Sequence, residues 1–357
     1  MTALRLRQLI KELGERARQG GQTPSFFNSK TWRNVLMDSV RVNSTCMVLV
    51  IILGLLFSCP MPLYGKEMDK AEIRQRLQQH LTYLSVDLGE RCLYRPQNLK
   101  AAENYVAREF ESLGYAVRRQ PFICQRVEVA NVIAGNPDPR GYYLLGAHFD
   151  TVADSPGADD NASGVAVLLE VARLTRETPT PRPWAFVGFT TEEPPAFFTP
   201  YMGSSVYAKT ARKNRENLLG MLCLESVGYF VSEPESQEIP LVLKFLGYST
   251  TGNYLGLVAN WNSRPLLHKV EEALLAACSL PLATLAVPLG GSLVPETRLS
   301  DHANFWDEGY QAVMLTDTAF LRNPNYHTPG DTIHTLNLDA MVELTLGLVH
   351  FVREAGR

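Results

Sequence analysis

Several features are scarce in this 357-residue chain. It has six cysteines and no Cys-x-x-Cys pair, which excludes a cysteine-rich zinc module. The formal net charge is −3 with no basic stripe, so nothing favours nucleic acid as a partner. The main body carries no internal repeat and no low-complexity tract, which excludes a solenoid or an extended polar linker. No apolar run reaches the ~20 residues that a membrane-spanning helix needs. What is present is 45% apolar and 20% charged residues, the composition of a globular chain with one large domain plus extensions.

The first 65 residues differ from the rest. Arg5, Arg7, Lys11, Arg16, Arg18, Lys30, Arg33 and Arg41 outnumber the acids there, and an uncharged run from Cys46 to Phe57 follows. That run is short for a span but has the length of a signal-peptide apolar region. Leu56-Phe57-Ser58-Cys59 resembles a bacterial lipoprotein cleavage box, although Phe57 is bulky for it. The segment therefore predicts export to the periplasm or cell surface, with membrane tethering by lipid on Cys59 or by an uncleaved signal anchor. The polar stretch before Met37 is long for a signal peptide, and Met37 is an alternative start. The chain divides into a targeting segment, 1–65, and a single main domain, 66–357. In an oxidising compartment Cys92 and Cys124 either pair or remain two thiols. Cys223 and Cys278 fall in apolar runs and read as core.

In the main domain, helical spacing of Ile73, Leu77, Leu81 and Leu84 predicts a helix over 70–84. Further helices are expected over 99–113, closed by Gly114, and over 165–176, 204–212, 266–277, 303–307 and 338–353. Strands are expected over 116–120, 127–134, 142–147, 185–190, 221–225, 241–246, 255–258 and 312–315. This alternation predicts an α/β three-layer sandwich: a central mixed, mostly parallel sheet flanked by helices, with an antiparallel hairpin edge near 120–134. The Pro194–Pro200 and Pro288–Pro295 loops are candidate rims of an active site.

The ends of the apolar runs carry the chemistry. The run from Tyr142 to Leu145 leads into His148-Phe-Asp150, and Gly157-Ala-Asp159-Asp160-Asn-Ala-Ser-Gly164 follows just before a helix. Phe186-Val-Gly-Phe-Thr-Thr ends in Glu192-Glu193, and Leu222-Cys-Leu ends in Glu225. Ser300-Asp301-His302 opens a short helix, and Asn325-Tyr-His327-Thr-Pro-Gly-Asp331 forms a loop. Adjacent carboxylates at the end of a buried strand are costly unless a cation faces them. Imidazole and carboxylate donors suit zinc, whereas calcium or magnesium would prefer an all-oxygen set.

In order and spacing, these segments resemble the co-catalytic zinc exopeptidases typified by bacterial leucyl aminopeptidase (metallopeptidase family 28). Glutaminyl cyclases share that phosphorylase/hydrolase-like fold. The resemblance runs from about Asp69 to the C-terminus. It implies two zinc ions per chain, bridged by Asp159 and a water, with His148 and Glu225 completing one site and Glu193 and His327 the other. It makes Glu192 the general base and Asp150 the residue that orients His148, with Asp301 as further support or a helix cap. The implied activity is aminopeptidase hydrolysis of peptides with a free N-terminus. Glu225 departs from the Asp of the better-known aminopeptidases by one methylene. The alternatives are a glutaminyl-peptide cyclase using a single zinc on Asp159, Glu193 and His327, or an inactive relative used for binding. Tyr201, Tyr229 and Tyr326 are unranked candidates to donate to the oxyanion, and Asp160 reads as local turn chemistry.

Overall fold

Asp69 caps the first helix of the main domain: its carboxylate accepts from the N–H groups of Ala71 and Glu72 at 2.9 and 3.4 Å. The computed structural model describes residues 69–135, 137–240, 243–244 and 247–355. The targeting run 46–57 and Cys59 lie outside the described residues. Among the described residues, no helix is long and apolar enough to cross a membrane.

Helix α1 (Lys70–Leu81) buries Ile73, Leu77 and Leu81 on one face and runs on as a wider π turn to Leu88. Helix α2 (Pro96–Ser112) starts on Pro96, whose fixed φ suits a first turn, and stops before Gly114 at φ +79. Strands β1 (Val117–Cys124) and β2 (Val127–Ala134) form the expected antiparallel hairpin. Its two-residue turn, Gln125-Arg126, has positive φ at both positions, the twist that closes such a hairpin. Then come β3 (Tyr142–His148), α3 (Gly164–Thr175), β4 (Trp184–Phe189), α4 (Gly203–Lys213) and β5 (Leu218–Glu225). The chain continues with β6 (Leu255–Asn260), α5 (Arg264–Ala277), β7 (Leu282–Val287), α6 (His302–Asp307), β8 (Ala312–Thr316) and α7 (Leu338–Glu354).

The strands form one mixed, mostly parallel sheet in the order β1-β2-β4-β3-β5-β8-β6-β7. The four central strands, β4-β3-β5-β8, are mutually parallel. Along β3 the side chains alternate between two cores: Tyr143, Leu145 and Ala147 pack with α1, α3 and α7, while Tyr142 and Leu144 pack with α4 and α6. With both faces covered, the central strands read as unbroken apolar runs. Their shared direction brings the ends of β3, β4, β5 and β8 to one edge, where open α/β sheets bind ligands.

One strand was not expected, and one expected strand is absent. Strand β7 lacks a clear sequence signature because it is a half-buried edge strand paired only with β6. Where a strand was expected over 241–246, Leu243 and Lys244 form a helical turn on the Pro240 carbonyl, favoured by that proline at its start. Cys92 and Cys124 are two free, buried thiols.

Candidate metal centre

His148 closes β3, Glu225 closes β5, and Glu192-Glu193 follow β4 after a turn at Thr191, whose φ is +54. That turn redirects the chain so that neighbouring carboxylates serve different directions. The Asp150 carboxylate fixes it, accepting from the N–H groups of Glu192 and Glu193 at 3.1 and 3.0 Å. His327 arrives from the loop after β8, also with positive φ.

Around these side chains the distances form two overlapping clusters joined by Asp160. Asp160 Oδ1 lies 3.3 Å from His148 Nε2, which lies 3.4 Å from Glu225 Oε2. Asp160 Oδ2 lies 3.0 Å from His327 Nε2, which lies 3.2 Å from Glu193 Oε1. A tetrahedral ion with bonds of about 2.0–2.2 Å spaces its donors about 3.3–3.5 Å apart. His148 Nε2, Asp160 Oδ1 and Glu193 Oε1 are buried without a hydrogen-bond partner, so their proximity is not explained by hydrogen bonding. Among the described residues no Lys or Arg forms an ion pair with these carboxylates. The donor set fits two cations sharing one carboxylate.

The carboxylate that lies between the two clusters is that of Asp160, not the expected Asp159. Asp159 turns away: its oxygens accept from Gly228 N–H at 2.9 Å and Asn323 Nδ2 at 2.8 Å. Burial and the adjacent Asp317 carboxyl push Asp159 well above the usual carboxylate range. Burial alone would raise Asp160 too, but the imidazoles of His148 and His327 outweigh it and hold that carboxyl below its usual range. The two neighbouring carboxyls are thus shifted in opposite directions.

Glu192 is buried beside both clusters. Its carboxylate lies within 4.8 Å of donor atoms on His148 and Glu193, yet it forms no ion pair with either imidazole. Burial pushes its pKa well up; His148 opposes this, while Glu193, Glu225 and Asp301 reinforce it. Such a carboxylate is basic enough to accept a proton. His148 Nδ1 faces Asp150, 3.2 Å from its carbonyl and 3.5 Å from its carboxylate. Asp301 is fully buried near Glu225 and His148, and burial pushes it up to about 7. Ser204 lies nearby, but no donor meets either Asp301 oxygen in hydrogen-bond geometry. Its neighbour Ser300 donates to Glu225 Oε2 at 2.5 Å.

Three further residues, to which the sequence assigns no role, support the centre. Asp331 accepts from the N–H groups of Asp159 and Asp160 at 2.8 and 3.1 Å, tying the Asp160 turn to the His327 loop. Asn323 holds Asp159, and Ser300 holds Glu225. Of the three, Asp331 and Ser300 carry a sequence signal, their places in the His327 motif and in the Ser300-Asp301-His302 segment; Asn323 carries none. Tyr326 is the tyrosine best placed at the site: it stacks on His327 with ring centroids 3.8 Å apart. Burial and the charges of Asp160, Glu193, Glu225 and Glu192 raise its pKa, so it stays a donor. Tyr201 is exposed, and Tyr229 directs its N–H to Asp317.

Beside Glu225 and Tyr326 opens an apolar pocket of about 110 Å³, walled by Tyr248, Tyr254, Val258, Leu285, Leu299 and Met314. Of the two expected rims, the Pro288–Pro295 loop contributes Val294 to this pocket and the Pro194–Pro200 loop contributes nothing.

The family model of peptidase family M28 matches residues 129–352. The chain belongs to peptidase family M28. The uncharacterized protein YfbL of Escherichia coli (strain K12) is 32% identical over 284 residues, covering 77% of this M28 chain and 86% of its own. Leucine aminopeptidase 1 of Trichophyton rubrum is 25% identical over 308 residues, covering 82% of this chain and 74% of its own. The crystal structure of Fimbriiglobus ruber glutaminyl cyclase shares the fold, with a TM-score of 0.57 and 20% identity over 81% of this chain and 96% of that one. One fold thus serves a peptidase family and a glutaminyl cyclase.

Proposed function

We propose that this M28 chain is a zinc-dependent aminopeptidase that removes N-terminal residues from peptides. The observation that carries the reading is the division of the Asp160 carboxylate between His148 and His327. His148, Asp160 and Glu225 would hold one zinc, and Asp160, Glu193 and His327 the other. Bound there, zinc supplies charge that polarises a carbonyl and acidifies water.

The remaining steps belong to the chain's own residues. Glu192 takes a proton from the attacking water and returns it to the leaving amine. Tyr326 donates its hydroxyl to the oxygen that gains charge as the carbonyl becomes tetrahedral. The apolar pocket beside Glu225 receives an uncharged side chain such as leucine. Asp150 keeps Glu192 and Glu193 in register through their backbone N–H groups.

The shared fold with a glutaminyl cyclase favours a second reading, cyclisation of N-terminal glutamine on a single zinc held by Asp160, Glu193 and His327. Retention of His148 and Glu225 supports hydrolysis. Zinc stoichiometry measured beside a panel of N-terminal substrates separates the two. Two zinc ions per chain and release of leucine from a leucyl anilide are expected. One zinc with pyroglutamate formed from N-terminal glutamine would overturn hydrolysis.

The N-terminal segment further supports export and membrane tethering. Cys59→Ser should release a lipoprotein from the membrane fraction, and continued retention would favour a signal anchor.

A further inference from the structure

Arg91 is the largest fully buried side chain among the described residues; Asp331, Asp150, Asp160 and Glu193 act on its charge, but none of them forms a direct ion pair with it. It spends its guanidinium on backbone carbonyls instead. Nε donates to Phe149 O at 2.9 Å, between His148 and Asp150. Nη1 donates to Leu84 O, Gly89 O and Pro156 O at 2.8, 2.9 and 2.7 Å, and Nη2 to Gly157 O at 3.0 Å. The Arg91 N–H donates to Thr151 Oγ1 at 2.9 Å. One side chain thus joins the end of β3, which carries His148, to the Pro156-Gly157 turn, which leads into Asp160. The turn fits closely around it: a Cβ on Gly157 would lie 3.1 Å from Nη2 and 2.3 Å from Thr151 Cγ2.

Asp160 therefore has two separate staples. Asp331 ties it to the His327 loop, and Arg91 ties the turn before it to the His148 strand. We propose that Arg91 is a positioning residue that sets the His148-to-Asp160 spacing and so the zinc affinity of the His148 half more than that of the other. The inference rests on the two-metal reading above. Groups that orient metal ligands from behind typically change affinity about 10–100-fold when removed.

The test is calorimetric titration of zinc into metal-free wild type, Arg91→Lys and Arg91→Met. Each is also measured with His327→Ala, which leaves the His148 half, and with His148→Ala, which leaves the other. Both Arg91 variants should weaken the His148 half by at least ~10-fold and the His327 half by clearly less. Lysine keeps the charge but cannot reach several carbonyls in a fixed fork, so it should not rescue. Rescue by Arg91→Lys, equal weakening of both halves, or no weakening would overturn the inference. A wild type that binds fewer than two zinc ions would overturn the two-metal reading and this inference with it. If the Arg91 variants do not fold, Thr151→Val removes one anchor of the same segment. It should weaken the His148 half selectively, and an unchanged affinity there would overturn the proposal.

Discussion

The half of the centre around His148 is walled in, whereas the half around His327 meets solvent: their side chains are 1% and 32% exposed. The first half is built on adjacent parallel strands, β3 and β5, whose register is fixed by the sheet. The second depends on a loop, the stacked Tyr326 ring and the Asp331 staple. One sheet edge thus supplies two environments. Strand ends hold His148 and Glu225 out of reach of water, and a loop brings His327 in from the solvent side.

The severest challenge to this contrast removes what the halves share. Asp160→Asn should abolish hydrolysis and weaken zinc binding in both halves by about 100-fold or more, read by titration and metal analysis. Asp159→Asn should keep both ions, because its oxygens face Gly228 N–H and Asn323 Nδ2 rather than either cluster. If Asp159→Asn loses both metals while Asp160→Asn keeps them, the bridge belongs to Asp159.

Glu192 lies against both halves without completing either. Glu192→Gln should lower kcat by about 10²–10⁴-fold while zinc content stays the same. Loss of an ion together with activity would make Glu192 a ligand. A smaller effect is expected on the exposed side: Tyr326→Phe should lower kcat by about 10²-fold. Tyr201→Phe and Tyr229→Phe should change it little. Equal losses for all three would remove Tyr326 from its place as oxyanion donor.

Much of the centre is legible in the sequence. His148, Glu225 and Glu192-Glu193 end apolar runs, and parallel strands must gather such ends at one edge. His327 lies in a loop motif after the last strand. Nothing local distinguishes Asp159 from Asp160, because Gly228, Asn323 and Asp331 decide which one turns inward, and all three are distant in sequence. Arg91 leaves no trace either: a lone arginine in a connecting segment reads as surface until its carbonyl partners are known. Strand β7 escapes for a related reason, since an edge strand needs neither continuous apolarity nor clean alternation.

The slightest of these effects is a count of protons, and it tests the exposed half. Burial would lower the His327 pKa, but the Asp160 and Glu193 carboxylates outweigh it and push the imidazole up to about 10. Burial is likewise outweighed at His148 by Glu225, Asp150 and Asp160, which raise it. Zinc needs neutral imidazole, so binding at pH 7 must expel these protons, and affinity should climb with pH towards about 10. Calorimetry in two buffers of different ionisation enthalpy reads the release directly. Zero release at pH 7 would mean the carboxylates do not charge the imidazoles. The stability of the metal-free protein carries the same sign. A folded pKa raised above the unfolded value of about 6.5 stabilises fully below that pH, and the gain is lost as pH rises through about 10. The melting temperature of the metal-free chain should therefore fall across that interval, and zinc should remove most of the fall by taking the protons' place.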